Sequence, residues 1–325
     1  MDWKDKNVFI TGADGFIGGW VAKILVEKGA NVVVVVRDFK KNNALELHNI
    51  KDKVSIVPGD IVNYELMSRI INEYSIEHIF HFAAQALVGI ANRSPLSTYD
   101  SNIKGTWTIL ESVRHSKTVE GVVVASSDKA YGSQKILPYK EDQPLMAVYP
   151  YDATKACTDI LARSFAKSYD MPITVTRNGN TYGGADLNFS RIIPDAIVSS
   201  LLGKALIIRS DGTPERDYFY IKDAVDSYLT LAENAHRKDV RGEAFNFGTE
   251  TPINVLDLVK KIIKLTGKNI PVKVLGTAKN EIDKQYLSIS KAKKVLKWKP
   301  KYVLDDGLKE TVVWYREYLK KINNI

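Results

Sequence analysis

The sequence predicts an α/β fold: a doubly wound parallel sheet with a smaller, interleaved C-terminal domain. Three observations carry this reading. Strand-like and helical patterns alternate over about 180 residues, which argues for parallel strands joined by right-handed crossovers. Positions 32–36 are five consecutive valines, a run suited to a strand covered on both faces. A loop spaced Gly12-x-x-Gly15-x-x-Gly18 joins the first strand to the first helix.

The elements follow in order. A short buried strand is expected at 7–11 and a helix at 17–28, ended by Gly29. After the valine strand, further strands are expected at 54–57, 78–82, 121–125 and 173–177, with helices at 64–73, 102–115 and 151–169 between them. The pattern then loosens. Residues 178–188 read as loop, 192–202 as an apolar segment, 205–209 as a strand and 210–217 as loop. Short strands at 218–220 and 245–247 are expected to return to the first domain. A helix at 255–265 has Asn254 as N-cap, Asp257 in its first turn and Gly267 past its end. The expected division is a cofactor domain of 1–178 with 216–248, and a substrate domain of 179–215 with 249–325. A cleft lies between them.

Composition narrows the function. A chain of 325 residues buries about 75% of its unfolded surface, so a core is no obstacle. The net charge is +8, but lysines are dispersed among acids rather than gathered with aromatics on one stripe, which argues against nucleic acid. The single cysteine, Cys157, excludes an intramolecular disulfide framework and thiolate metal cages. The five histidines have no metal-binding spacing, so no metal is expected. No apolar run is long enough for a membrane helix, and the charged N-terminus does not read as a signal peptide. A cytoplasmic enzyme is the expectation.

The loop Thr11-Gly12-Ala13-Asp14-Gly15-Phe16-Ile17-Gly18 is one residue wider than the G-x-G-x-x-G fingerprint, with the same physics. Its glycines allow a tight turn, approach of the backbone to a pyrophosphate and close helix–strand packing. The helix N-terminus adds free N–H groups and partial positive charge. This makes the sheet Rossmann-like and the expected ligand a dinucleotide, NAD or NADP. Arg37 and Asp38, after the valine strand, give a split signal. The carboxylate favours NAD, and the arginine would accept the 2′-phosphate of NADP. Asp60 reads either as an adenine neighbour or as a turn residue behind Gly59. Ile61 and Ala83 complete the expected cofactor contacts.

Tyr151-x-x-x-Lys155 puts a phenol and an ammonium on one helical face. An unperturbed tyrosine, with a pKa of about 10, is a poor base near neutrality. A nearby lysine and a positive nicotinamide favour the phenolate, which takes a hydroxyl proton as hydride leaves the same carbon. Lys155 also suits the nicotinamide ribose. The spacing recurs at Tyr131–Lys135, in a loop, and at Tyr218–Lys222, in a strand-like run where positions four apart are about 13 Å from each other. Only Tyr151–Lys155 begins an amphipathic helix.

Ser127-Asp128-Lys129 ends a sheet strand, 22 residues before Tyr151, where open α/β sheets bind ligands. A polar turn capping the strand would also account for it. The glycine loop, the Tyr151–Lys155 helix, Arg177-x-Gly179-Asn180-x-Tyr182-Gly183 and Arg216-Asp217-Tyr218 together resemble the extended short-chain dehydrogenase/reductases that act on nucleotide sugars. The resemblance covers almost the entire chain. Nucleoside-diphosphohexose 4,6-dehydratases of that superfamily carry an acid–base couple, usually Asp-Glu after Thr, at the position of Ser127–Lys129. Asp-Lys is similar to the CDP-glucose 4,6-dehydratase branch, as are residues 125–132 and 183–194.

The resemblance implies oxidation of a nucleotide-linked glucose at C4, loss of water across C5–C6 and return of hydride to C6. Tyr151, with Lys155 and Ser127, would serve the 4-hydroxyl; Lys129 would assist loss of the C5 proton, and Asp128 would protonate the departing 6-hydroxyl. Asn180 and Arg216 are implied at the diphosphate, with Arg191 and Arg209 beside them, although Arg209 reads equally as a solvated strand end. Gln85 is counted with the substrate residues. Asn246 reads either as a nucleotide contact or as a buried satisfied amide, and Glu281, Gln285 and Tyr286 as the ribose edge. A 4-epimerase or decarboxylase of the same fold is the nearest rival, although an epimerase has no elimination step for Asp128 and Lys129. A non-catalytic cofactor-binding regulator would be expected to lose Tyr151 or Lys155. Relatives commonly pair through two helices, here 102–115 and 151–169, so a homodimer is implied.

Overall fold

The valine run forms the strand next to one edge of the main sheet and is buried on both sides. The computed structural model describes residues 1–277 and 282–322. Its first strands are β1 (Asn7–Thr11), β2 (Asn31–Val36), β3 (Ser55–Pro58), β4 (His78–His81), β5 (Gly121–Ala125) and β6 (Ile173–Asn178). Val32, Val34 and Val36 join one core with the helices Phe16–Glu27 and Ile221–Asn234. Val33 and Val35 join the other, with Tyr64–Glu73, Gly105–Arg114 and Pro150–Tyr169. An all-apolar strand is thus explained: neither face meets water.

Beyond β6 come β7 (Asn180–Tyr182), β8 (Leu206–Ile208), β9 (Glu215–Arg216), β10 (Tyr218–Tyr220), β11 (Ala244–Phe247), β12 (Ile253–Asn254), β13 (Val272–Val274) and β14 (Lys284–Gln285). The main sheet is parallel, in the order β11-β6-β5-β4-β1-β2-β3. From β1 the chain winds outward through β2 and β3, then returns to β4 on the other side. The strand order therefore reverses between β1 and β4, the place where such sheets open a ligand crevice at their C-terminal ends.

Several local expectations need correction. The helix expected at 102–115 begins as a π-helical turn, Asp100–Lys104, before the α-helix Gly105–Arg114. Within that turn the buried Asn102 amide accepts from Gln85 N (2.7 Å) and donates to Thr154 Oγ1 (2.8 Å). The supposed loops 178–188 and 210–217 contain β7 and β9. Residues 218–220 pair with β7 rather than with the main sheet, whereas β11 does return to it, beside β6. The segment 192–202 is the helix Ile192–Leu201. Asn254 caps the helix Val255–Thr266 by accepting from Asp257 N, and Gly267 closes it at φ 70°. Among the described residues, no helix is long and apolar enough to cross a membrane.

Candidate active site

The glycine loop and the end of β4 meet at the switch point. Gly12 has φ 73°, and a Cβ there would lie 2.7 Å from Ala83 N, so no larger residue fits. Ala83 N donates to Thr11 Oγ1 at 3.1 Å, which fixes the crevice floor. Gly15 is the N-cap of Phe16–Glu27; no side chain caps that helix and no acid lies in its first turn. Free N–H groups at such a terminus fit a pyrophosphate. Asp14 is half-buried, and burial raises its carboxyl above the ordinary range, while Lys40 and Arg37 oppose the shift. Phe16 approaches Gly183, and Ile17 packs against the core beneath it.

At the tips of β2 and β3 three charges gather. Arg37 Nε donates to Asp38 Oδ2 at 2.9 Å, and Arg37 Nη1 lies 3.7 Å from Asp60 Oδ2. Asp60 also accepts from Val62 N at 3.2 Å, so it serves the turn as well. Ile61 is buried against Gly105. Loop, crevice and tip cluster together suit a nicotinamide dinucleotide, which supplies a hydride acceptor when bound.

Lys155 is buried, and its Nζ donates to Ala125 O, the last residue of β5, at 2.7 Å. Burial lowers its pKa to about 8. Ala83, Asn102, Ala125 and Lys155 line one recess, so the Tyr–Lys helix and the floor of the crevice share a wall. Tyr151 is pushed up to about 12, first by burial, then by the charges of Asp128 and Asp152; Arg191 and a hydrogen bond from Ser127 oppose the shift. The expected low phenol pKa is therefore not a property of the chain by itself. Desolvation outweighs the local positive charge.

Ser127 caps the turn Asp128–Tyr131. Its Oγ accepts from Lys129 N (3.2 Å) and donates to Asp128 Oδ1 (3.0 Å). The Asp128 side chain is buried, and Lys129 Nζ lies 3.9 Å from its Oδ2. Lys129 Nζ also donates to Gln285 Oε1, while Gln285 Nε2 donates to Asp128 O at 3.2 Å. Asp152 is pushed up to about 6, first by burial, with Lys129 opposing and Asp128 adding to the shift. Asp128 thus acts on both Tyr151 and Asp152.

Two of these residues escaped sequence reasoning. Asp152 resembles any acid in a first helical turn, and only its place beside Tyr151 marked it. Gln285 was assigned to the ribose edge, but its amide is buried against the acid–base turn.

The other two Tyr–Lys spacings are structural. Tyr131 is buried, donates to Asn246 Oδ1 and accepts from Arg177, each at 2.8 Å. Tyr218 ends up on a strand, but Lys222 is already in the helix Ile221–Asn234 and pairs with Glu310 at 2.6 Å.

Arg191, Arg209 and Arg216 converge on one cleft of ≈ 220 Å³, bordered by Ser190 and Tyr218. Arg191 Nη1 bonds Asp186 (3.1 Å), Arg209 Nη2 bonds Ser190 O (3.1 Å) and Arg216 Nη1 bonds Glu215 O (2.9 Å). Asn180 stands opposite Tyr218 on β7, its Nδ2 buried without a partner among the described residues. Gln85 Oε1 accepts from Leu87 N at 3.2 Å. Tyr286 is half-buried, with Lys284 Nζ 5.5 Å from its ring centre. Asn246 matches the second of its two readings, a buried satisfied amide: it is fully buried, its Oδ1 accepts from Tyr131 and its Nδ2 donates to Tyr139 O at 3.0 Å. Glu281 lies outside the described residues. Among the described residues, no group of three or more His, Cys, Asp or Glu is placed to hold a metal ion.

The family model described as GDP-mannose 4,6 dehydratase matches residues 9–311. CDP-glucose 4,6-dehydratase of Salmonella typhimurium is 30% identical, covering 98% of this chain and 92% of its own. The crystal structure of UDP-glucose 4-epimerase from Thermotoga maritima, with UDP-glucose, superposes with a TM-score of 0.88 at 31% identity, over 96% of this chain and 99% of its own. That of dTDP-glucose 4,6-dehydratase from Bacillus anthracis, in complex with NAD, gives 0.86 at 28%, over 97% and 98%.

Proposed function

We propose, from the premise that this chain belongs to the GDP-mannose 4,6 dehydratase family of nucleotide-sugar enzymes, that it is a 4,6-dehydratase acting on a nucleoside-diphosphate glucose, with CDP-glucose the preferred donor. The observation that carries the reading is the buried Asp128 carboxylate, with Ser127 Oγ donating to it at 3.0 Å and Lys129 Nζ 3.9 Å away, at the tip of the strand that Lys155 fastens to the Tyr151 helix. An enzyme that only oxidises and re-reduces C4 has no work for a second acid and base.

Tyr151 takes the proton of the 4-hydroxyl as the C4–H bond breaks, and Ser127 orients that oxygen. A nicotinamide dinucleotide, which the Gly12–Gly18 loop and Lys155 would hold, would supply a reversible hydride acceptor for C4 and C6. A ketone at C4 acidifies the C5 proton, which Lys129 removes directly or through water. Asp128 gives its proton to the 6-oxygen, and the C6–O bond breaks to release water. The product is a 4-keto-6-deoxy sugar, with no net change in the cofactor.

Arg191, Arg209, Arg216 and Asn180 hold the diphosphate in the cleft between the cofactor domain and a substrate domain of 179–215 with 249–325. Guanidinium groups suit this task because they form paired bonds to phosphate oxygens. We assign NAD rather than NADP because the Asp38 carboxylate, held by Arg37, accepts from a ribose hydroxyl and repels a 2′-phosphate. We also assign a homodimer: Trp107 and Ile160 leave apolar surface exposed on the helices Gly105–Arg114 and Pro150–Tyr169.

A panel of CDP-, dTDP-, GDP- and UDP-glucose, read by mass spectrometry, tests the reading. Loss of one water with CDP-glucose ahead of the others is expected. The second reading, a 4-epimerase, is favoured by the likeness to the Thermotoga maritima enzyme, and it predicts a product of unchanged mass.

A further inference from the structure

We propose that Gln285 is a positioning residue: its amide sets Lys129 and Asp128 for the elimination step and ties both to the strand bearing Arg216. The proposal deepens the dehydratase reading and rests on it. Gln285 is 1% exposed, and both ends of its amide are used on the acid–base turn. Oε1 accepts from Lys129 Nζ, and Nε2 donates to the backbone oxygen of Asp128 at 3.2 Å. One planar group thereby fixes the side chain of one residue and the main chain of the other.

Lysine needs such a holder. Its four-carbon stem has many rotamers, and its ammonium is strongly hydrated, so a half-buried lysine without an acceptor swings toward water. Asp128 does not hold it, because their closest approach is 3.9 Å. A neutral amide has a second merit: it anchors the ammonium without adding a second carboxylate charge to the turn. During elimination the C5–H bond breaks, its electron pair forms the C5=C6 bond, and the 6-oxygen leaves as water with the proton from Asp128. Both transfers need their groups placed at once, and Gln285 is bonded to both residues.

The backbone of Gln285 is also linked to the arginine cleft. Gln285 on β14 pairs in register with Arg216 on β9, and Arg216 lines the arginine cleft. The diphosphate anchor and the acid–base turn are therefore joined through one parallel strand pair, across 156 residues of sequence between Lys129 and Gln285.

Gln285→Leu and Gln285→Glu, assayed beside the wild type on the glucose nucleotide it dehydrates, test this. For Gln285→Leu the expected loss is about 10²-fold in kcat. KM should stay within about twofold, because the residue does not touch the nucleotide. Quenched reactions should accumulate the oxidised 4-keto hexose that still carries its 6-hydroxyl, since C4 oxidation does not use the couple. Gln285→Glu keeps an acceptor for Lys129 and should recover part of the loss. If the leucine variant does not fold, the glutamate variant carries the readout: keto hexose above the wild-type level supports the proposal. A wild-type product distribution in the folded variants overturns it, as does a rise in KM alone, which would mark a ribose contact. Failure of the wild type to dehydrate any glucose nucleotide overturns the dehydratase reading and this proposal with it. Silent variants in an active dehydratase overturn only the proposal.

Discussion

Lys155 Nζ donates to the carbonyl oxygen of Ala125 at 2.7 Å, fastening the helix that bears Tyr151 to the tip of β5. The bond sets the distance between the phenol and the turn beginning at Ser127, because Ala125 and Ser127 are two residues apart. It also places a buried ammonium on a single backbone acceptor, and that has consequences for stability.

Burial lowers the Lys155 pKa from 10.5 to about 8. Between these values the unfolded chain binds more protons than the folded one, so this group's contribution to stability rises with pH. Below the folded pKa its burial costs most; above, the cost fades. Wild type should gain about 2 kcal/mol relative to Lys155→Met between about pH 7 and about pH 9.5. Urea unfolding of both proteins at the two pH values measures it. A difference that does not move with pH contradicts the assigned cause.

Tyr151 needs help from outside the chain. With burial holding the phenol at about 12, base chemistry near neutrality requires the positive ring of the oxidised cofactor. Adding NAD to the wild type at about pH 9 should produce a phenolate band in the ultraviolet difference spectrum. The band should be missing with the reduced cofactor and in Tyr151→Phe. Equal spectra with both cofactor forms would remove the nicotinamide from this role.

Asp128→Asn preserves shape and removes the acid. We expect kcat to fall about 10²- to 10³-fold with little change in KM, the pattern of an interaction used in the transition state. An unaffected turnover number refutes the role given to Asp128.

Arg216→Leu should do the opposite. Removing a phosphate partner weakens the bound substrate and the transition state alike, so KM should rise by about tenfold or more while kcat holds. Saturation kinetics with the preferred glucose nucleotide separates the two patterns. A loss confined to kcat would move Arg216 away from the diphosphate.

Trp107→Glu should shift the protein toward single chains in size-exclusion chromatography with light scattering, because it puts a charge on an exposed apolar helix face. A wild type that already runs as one chain contradicts the dimer.

Features with a local cause were legible in the sequence. The valine strand carries its burial in its own composition, the helix Tyr64–Glu73 its period, and the helix Val255–Thr266 its Asn254 cap and Gly267 stop. The short strands β7, β9 and β14 were not legible. Two or three residues hold no period, and their pairing is decided by partners far along the chain. The same limit applied within the site. Asp128, Lys129 and Tyr151 could be selected because strand tip and helix start are local signals. Gln285 could not be placed at Lys129, because nothing in residues near 285 records a contact 156 positions away. For Asn246 the sequence left two readings open, a nucleotide contact or a buried satisfied amide, and contacts with Tyr131 and the Tyr139 carbonyl, more than a hundred positions away, match the second.

The central claim, that hydride taken from C4 is given back at C6 after water has left, is tested most directly with CDP-glucose deuterated at C4. The account predicts a product lighter by one water with deuterium in its C6 methyl group, read by NMR and mass spectrometry. Deuterium returned to C4 in a hexose that has lost no water would contradict it.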